Sequence, residues 1–278
     1  MSYKIVGDSS TDLNTEIKSK GNVEIVPLVI QVDDEEIIDD ETFNQAELLQ
    51  KMKASKHTLT SACPSPEAYM EKFDCADDIF VITLSSKLSG SYNSAELAKK
   101  LYLEEHPDKN ILVIDSKSAS VGQTLLALRI QELEEAGKSF EEICTNVLQY
   151  RDEMCTKFVL ESLDVLRRNG RLSTVTAVIC NTLNIKAVMS STPEGSINRV
   201  DQGRGMKKAL GKLVSAIEKD MVNPKEKILG IAHCNNKERA EYTKNLIMSK
   251  IPFKDYIMVD TAGLSSFYAN DGGIIDAY

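Results

Sequence analysis

The chain has 278 residues, 42% of them hydrophobic, with only 14 Gly and 7 Pro; such a chain can bury a sizeable core without disulfide or metal staples and is neither fibrous nor largely disordered. Its 33 Lys and Arg against 42 Asp and Glu leave a formal net charge of −9, which argues against a nucleic-acid-binding protein built on a basic surplus. No apolar run reaches the roughly 18–20 residues of a membrane span, and Met1–Asp8 meets an acid too early for a secretory signal; a cytoplasmic protein without stable membrane insertion is expected.

In chain order, Tyr3–Gly7 and Val23–Val32 are strand candidates, and Phe43–Lys53 has helical spacing. Asp78–Leu84 is a near-continuous apolar run bounded by acids and by Ser85-Ser86, and Asn110–Asp115 repeats the type. Strands apolar on both sides suit a buried parallel sheet. Helices are expected at Tyr92–Glu105 and Ser120–Ala136, and Ser139-Phe140-Glu141-Glu142 forms a capping box opening a helix to about Asp152. Strand–helix alternation of this kind implies βαβ units. After Met154–Lys157 the pattern changes. Phe158–Leu160 and Ala187–Ser190 read as short strands. Pro193–Ser196 reads as a turn leading into Ile197–Val200, hence a hairpin. A helix at Met206–Lys219, a strand at Lys227–Ala232, a helix at Lys237–Met248 and strands at Tyr256–Val259 and Gly273–Ala277 complete the chain. The expected architecture is α/β in two domains. Residues 1–155 form a three-layer α/β/α parallel-sheet domain, and residues 156–278 form a two-layer domain with a mixed sheet.

Several chemistries lack their residues. The sequence has no Walker A loop, no GxGxxG and no GxSxG elbow. The acids of Asp8-Ser9-Ser10-Thr11-Asp12 are spaced too widely for an aspartyl phosphotransferase. Six cysteines (63, 75, 144, 155, 180 and 234) are scattered without metal spacing and read as reduced, mostly buried residues. His57, His106 and His233 are too dispersed for a metal site and read as surface or turn residues. No catalytic constellation, cofactor or metal is expected.

What remains is a set of hydroxyl- and glycine-rich segments where strands give way to helices, the end of a parallel sheet at which ligands bind. Asp8–Leu13 also suits a plain turn and helix cap. In Thr60–Glu67, Ser65-Pro66 suits an N-cap with Pro at the first helical position, which leaves Thr60 and Ser61 free to face a ligand. Leu84–Ala95 carries five serines and Gly90 around a helix start. Together they offer hydroxyls, N–H groups and the helix dipole to a carboxylate or phosphate. Asp115–Gly122 repeats the design. Arg167, Arg168 and Arg171 gather around Gly170, either complementing a helix C-terminus or forming a docking patch for an anionic partner or ligand.

Read together, these segments resemble the DegV family of bacterial fatty-acid-binding proteins, some of which are the acyl-carrying subunit of fatty acid kinase. The motifs run in order over nearly the whole chain: D-S-x-x-D-L at Asp8–Leu13, S-x-x-P-S-P at Ser61–Pro66, S-S-x-L-S-G-x-Y-x-S-A at Ser85–Ala95, D-S-x-x-x-S-x-G at Asp115–Gly122, L-x-x-L-x-x-x-G-R-L-S at Leu163–Ser173, Ile185-Lys186, and G-x-I with R-G-x-x-K-A over Gly195–Ala209. The resemblance implies a non-enzymatic carrier of a long-chain fatty acid whose tail is buried in a tunnel. It assigns the carboxylate to Ser61, or Thr60 one residue away, and to Ser89, with Gly90 supplying backbone. It also implies presentation to a kinase subunit for acyl-phosphate formation, with Arg167, Arg168, Arg171 and Arg204 as docking charges. The chain departs from the family at the C-terminal H-x-G-P-G segment, where Thr261–Gly273 holds no histidine; Ser265, Ser266 or Asn270 would take its place at the head group. The residues alone also admit a small-molecule phosphotransfer enzyme, because serine-rich helix starts suit phosphate, or a regulatory interaction module with a filled interior.

Overall fold

The structure, a computed structural model, describes all residues except Met1, Lys56, Cys75 and residues 173–183. Strands β1 (Tyr3–Asp8), β2 (Val23–Val26), β6 (Asp78–Thr83) and β7 (Asn110–Asp115) form a parallel sheet in the order β2-β1-β6-β7. β6 is buried along its whole length, because helices cover both faces. On one face α3 (Pro66–Met70) and α4 (Ser91–Glu105) pack Tyr69, Ala95, Ala98 and Tyr102 against Val6, Val81 and Val113. On the other, α5 (Val121–Glu135) and α6 (Phe140–Glu153) pack Leu126, Ile130, Ile143 and Val147 against Ile5, Phe80 and Ile82. Ser139 opens α6 with both reciprocal bonds of the expected capping box.

The second sheet is mixed, in the order β10-β9-β8-β13-β11-β12, from β8 (Thr156–Val159), β9 (Ile185–Ser191), β10 (Ile197–Arg204), β11 (Ile228–His233), β12 (Asp255–Asp260) and β13 (Ile274–Ala277). Only β11 and β12 pair in parallel; the β9–β10 hairpin is antiparallel as expected. On one face α8 (Met206–Asp220) and α9 (Lys237–Met248) bury Leu210, Leu213, Val214 and Ile247 with Val159 and Ile231. On the other, α5 presents Val121 and Leu125 to Ala232, Val259 and Ala277. One helix thus joins the cores of both sheets.

Val23–Val32 is not one strand. Pro27 lacks the N–H a ladder needs, so the chain breaks there: β2 stays in the parallel sheet, while β3 (Val29–Val32) joins a third, antiparallel sheet, β4-β3-β5, with β4 (Glu35–Ile38) and β5 (Leu59–Ala62). Thr60 and Ser61 therefore lie within a strand, not in a turn. Two further helices, α1 (Thr15–Ser19) and α10 (Gly263–Ala269), carry no clear periodic signal, and α2 (Gln45–Ala54) and α7 (Asp164–Arg168) occupy the expected places. His233, read as a surface or turn residue, is buried at the end of β11, with Nδ1 3.2 Å from Asp260 Oδ1. Of the described cysteines only Cys234 is buried; Cys63 is exposed, and Cys144 and Cys155 are half-buried. Cys75 and Cys180 lie outside the described residues. Among the described residues, no helix is long and apolar enough to cross a membrane, and no group of three or more His, Cys, Asp or Glu could hold a metal ion.

Two glycines near the start of α8 predict opposite effects. A Cβ on Gly203 would meet the backbone of Lys208 and Ala209, which cannot swing aside as a side chain would. Gly203→Ala should destabilise by about 2–3 kcal/mol, lowering the thermal midpoint by about 5 °C. A Cβ on Gly211, inside α8, meets nothing within 4 Å, so Gly211→Ala should stabilise by about 0.5–1 kcal/mol. Calorimetric melting of the two variants checks both signs.

Candidate functional site

The loops after β1, β6 and β7 meet at the carboxyl edge of the parallel sheet, and their polar side chains are tied together there. Residues 8–12 are all buried, more than a turn and cap require. The Asp8 carboxylate accepts from Leu84 N–H at 2.7 Å and from Gln123 Nε2 at 2.9 Å. Asp12 accepts from Ser120 Oγ at 2.5 Å and from Ala262 N–H at 2.7 Å. Asp39, following β4, accepts from Gly263 and Leu264 N–H, each at 2.7 Å. A Cβ on Gly263 would collide with the Asp39 carboxyl, so glycine permits that approach. The two acids neutralise the open N–H groups at the start of α10 and fix a short helix from the second half of the chain onto the first.

Burial pushes Asp12 up to about 7 and Asp8 up to about 6, against the hydrogen bonds that lower them. Asp12 in the unfolded chain titrates near 4. Between these values the folded protein holds a proton that the unfolded chain has released, so this group's contribution to stability falls as pH rises from about 4 to about 7 and is level above. Asp12→Asn imitates the protonated acid. Compared with that variant, the native protein should lose up to about 1.4 kcal/mol per pH unit between pH 5 and 7, measured by urea unfolding at each pH; parallel curves for the two proteins would contradict the raised value.

α10 forms one wall of an apolar cavity and the second sheet forms another. The alternation of β8 and β13 sorts their side chains: Phe158 and Ile275 line the cavity while Val159 and Ile274 enter the opposite core. Leu84, Leu88, Ala119, Leu160, Leu166, Ile197 and Leu264 add carbon surface. About 90 Å³ is open to the centre of a water-sized sphere, the volume of a narrow slot. The β9–β10 turn closes one end: Ser85 Oγ donates to Gly195 O at 2.8 Å, and Gly195 and Ser196 line the slot there.

Polar side chains also reach the cavity from α10 and from the turn after α7. Tyr268 of α10 lines the cavity, and its hydroxyl lies 2.9 Å from Ser61 Oγ on β5. Arg171 also lines it; its Nε donates to Leu88 O at 2.9 Å. Beyond Leu88, Ser89 Oγ lies 2.9 Å from Ser91 Oγ. Gly90 is the N-cap of α4 and makes no side-chain cap bond; the first N–H of that helix, from Ser91, donates to Ser89 Oγ at 3.2 Å. A Cβ on Gly90 would stand 3.0 Å from Cys63 Sγ, which brings the end of β5 against the start of α4.

Of the residues singled out in the sequence, Arg171 lines the cavity, Ser61 meets it through the hydroxyl of Tyr268, and Ser89 and Gly90 follow the lining residue Leu88. Thr60 alternates with Ser61 on β5 and is exposed. Ser265 is buried and lines the cavity wall. Ser266 turns the other way: its hydroxyl lies 2.8 Å from Thr261 Oγ1 and accepts from Gln45 Nε2 at 3.1 Å. Arg167 and Arg168 are exposed and both pair with Asp164, at 2.6 Å each, while Arg204 is exposed at the end of the edge strand β10. Ser173 lies outside the described residues. Sequence reasoning missed Tyr268, although a lone tyrosine in the Ser- and Gly-rich stretch of Thr261–Gly273 was a signal, and it did not separate Arg171 from Arg167 and Arg168.

Residues 2–274 match the family described as uncharacterised protein, DegV family COG1307. A DegV domain-containing protein of Streptococcus gordonii is 40% identical, covering 100% of this chain and 99% of that one. Among solved structures, a DegV family COG1307 protein from Ruminococcus gnavus, refined with vaccenic acid, is 48% identical with a TM-score of 0.95 and full coverage of both chains. The Streptococcus pneumoniae fatty acid kinase B3 protein loaded with linoleic acid is 34% identical with a TM-score of 0.91, covering 100% of this chain and 99% of that one.

Proposed function

The chain belongs to the DegV family, and from that premise we propose that it binds one long-chain fatty acid, tail in the apolar slot and carboxylate at the Ser61–Tyr268–Arg171 end. The observation that carries this reading is a cavity with a largely apolar surface where Tyr268, hydrogen-bonded to Ser61, and the Arg171 guanidinium both reach the lining. A carboxylate there accepts from the Ser61–Tyr268 hydroxyl pair, from Ser89 and from the Arg171 guanidinium, near the positive start of α4, all stronger as donors to an anion than to a neutral oxygen. The tail leaves water for carbon walls, which drives binding without covalent chemistry. The protein is then a carrier. The solved relatives that hold vaccenic and linoleic acid support the ligand class.

The name of the streptococcal relative supports a further step: presentation of the carboxylate to a kinase subunit that forms the acyl phosphate. Ser89 is only half-buried and Gly90 is exposed, so the head group stands near the surface. Arg167, Arg168 and Arg204 are the exposed charges offered to that partner. Native mass spectrometry of delipidated protein incubated with oleate tests the first step: one added acid per chain is expected, and no added mass overturns the reading. Arg204→Glu should slow acyl-phosphate formation by such a kinase at least tenfold; an unchanged rate removes Arg204 from docking.

A further inference from the structure

We propose that Ser10 and Ser265 form a polar station on the wall of the slot that receives an oxygen carried on the acyl chain, so that a hydroxylated long-chain acid is preferred to its unsubstituted counterpart. This rests on the fatty-acid reading above and goes beyond it. Ser265 is 6% exposed, lines the cavity, and its hydroxyl has no hydrogen bond of ordinary length among the described residues. Ser10 is 1% exposed and lines the same cavity. Its oxygen accepts one long bond from Ser120 N–H at 3.4 Å, the one hydrogen bond of that hydroxyl among the described residues.

Both hydroxyls surround one buried pair. Ser120, whose N–H reaches Ser10, donates its hydroxyl to Asp12; Asp12 in turn accepts from Ala262 in the segment that leads to Ser265. Ser265 is close enough to the Asp12 carboxyl to favour its ionised form. The same cavity is lined by Leu84, Ala119 and Leu264 and by Ser118, Ser120 and Thr156, whose hydroxyls are already engaged, Ser118 with Thr156 and Ser120 with Asp12. Ser265 stands three residues before Tyr268 on α10, about 4.5 Å along the helix axis, so the station lies beside the chain and not at the carboxylate end. A plain methylene chain would leave Ser265 with only the Asp12 carboxyl nearby and Ser10 with only its long bond from Ser120, and incompletely partnered buried polar groups are unfavourable. A hydroxyl on the chain both donates and accepts. It can donate to Ser265 Oγ and accept from Ser10, satisfying both residues at once.

The test is competition, by native mass spectrometry, between stearate and 3-, 6-, 8-, 10- and 12-hydroxystearate on the delipidated full chain. One positional isomer should displace stearate with about tenfold preference, the value of one well-made buried hydrogen bond, and isomers hydroxylated far from it should show none. In Ser265→Ala and in Ser10→Ala the ratio should fall to within twofold, and stearate bound by the same samples reports that each variant is folded. Equal binding of stearate and every isomer by the native protein overturns the station, and means that water satisfies the two serines. A preference that survives both substitutions overturns it as well. If the native protein takes up none of the acids, the fatty-acid reading itself fails and the station fails with it.

Discussion

Palmitate should bind about two hundredfold more tightly than laurate, because each buried methylene contributes about 0.8 kcal/mol and the two acids differ by four. The head group is identical in both, so its contacts cancel in the ratio and only the slot is read. The expected series rises about fourfold per carbon until the tail fills the slot, whose wall includes the β9–β10 turn, where Gly195 is held by Ser85 and cannot recede freely. Beyond that length the gain should stop, since extra carbon must stay in water or displace a packed loop. Burial of apolar surface also requires a negative heat-capacity change that grows with chain length. Calorimetric titration of C12 to C18 acids below their micelle concentrations measures both. A rise of less than about 1.5-fold per carbon would leave the tail outside the protein.

Where neighbouring residues decide the structure, the sequence was readable. β6 and β7 are continuous apolar runs because both faces are covered, and α6 begins at Ser139 because Ser and Glu cap each other across one turn. Where distant residues decide it, the signal was faint. α10 has only seven residues and two serines at its centre, too short to show a period. It is held by Asp12 and Asp39, more than two hundred residues away. The third sheet was hidden for a similar reason: β5 is half-exposed and rich in Thr and Ser, so Ser61 looks like a loop residue until β3 pairs with it. Family motifs named Ser61 and Ser89 without saying which end of a cavity they mark. Arg171 shows the same limit, because three nearby arginines look alike in sequence. Asp164 engages two of them, whereas the left-handed turn at Gly170 (φ +71°) carries the third to the cavity.

Replacing Arg171 with Leu should weaken palmitate and laurate by the same factor, about a hundredfold, the worth of a charge-assisted contact to a carboxylate. The intercept of the chain-length series moves and its slope does not, which separates a head-group residue from one that merely shapes the slot. The two hydroxyls opposite should behave differently from the arginine. Ser61 Oγ and Tyr268 OH already face each other at 2.9 Å, so either can turn its hydrogen to the ligand when the other is lost. Ser61→Ala or Tyr268→Phe alone should therefore cost no more than about fivefold, while the double variant should lose about a hundredfold, since neither hydroxyl of the pair is then left to donate. A double loss equal to the product of the single losses would mean that the hydroxyls act independently, and that the pair seen across the end of the cavity does not exchange one donor role. Measuring the four proteins with both palmitate and laurate settles that coupling, because a packing defect from Tyr268→Phe would change the slope with chain length and a lost donor would not.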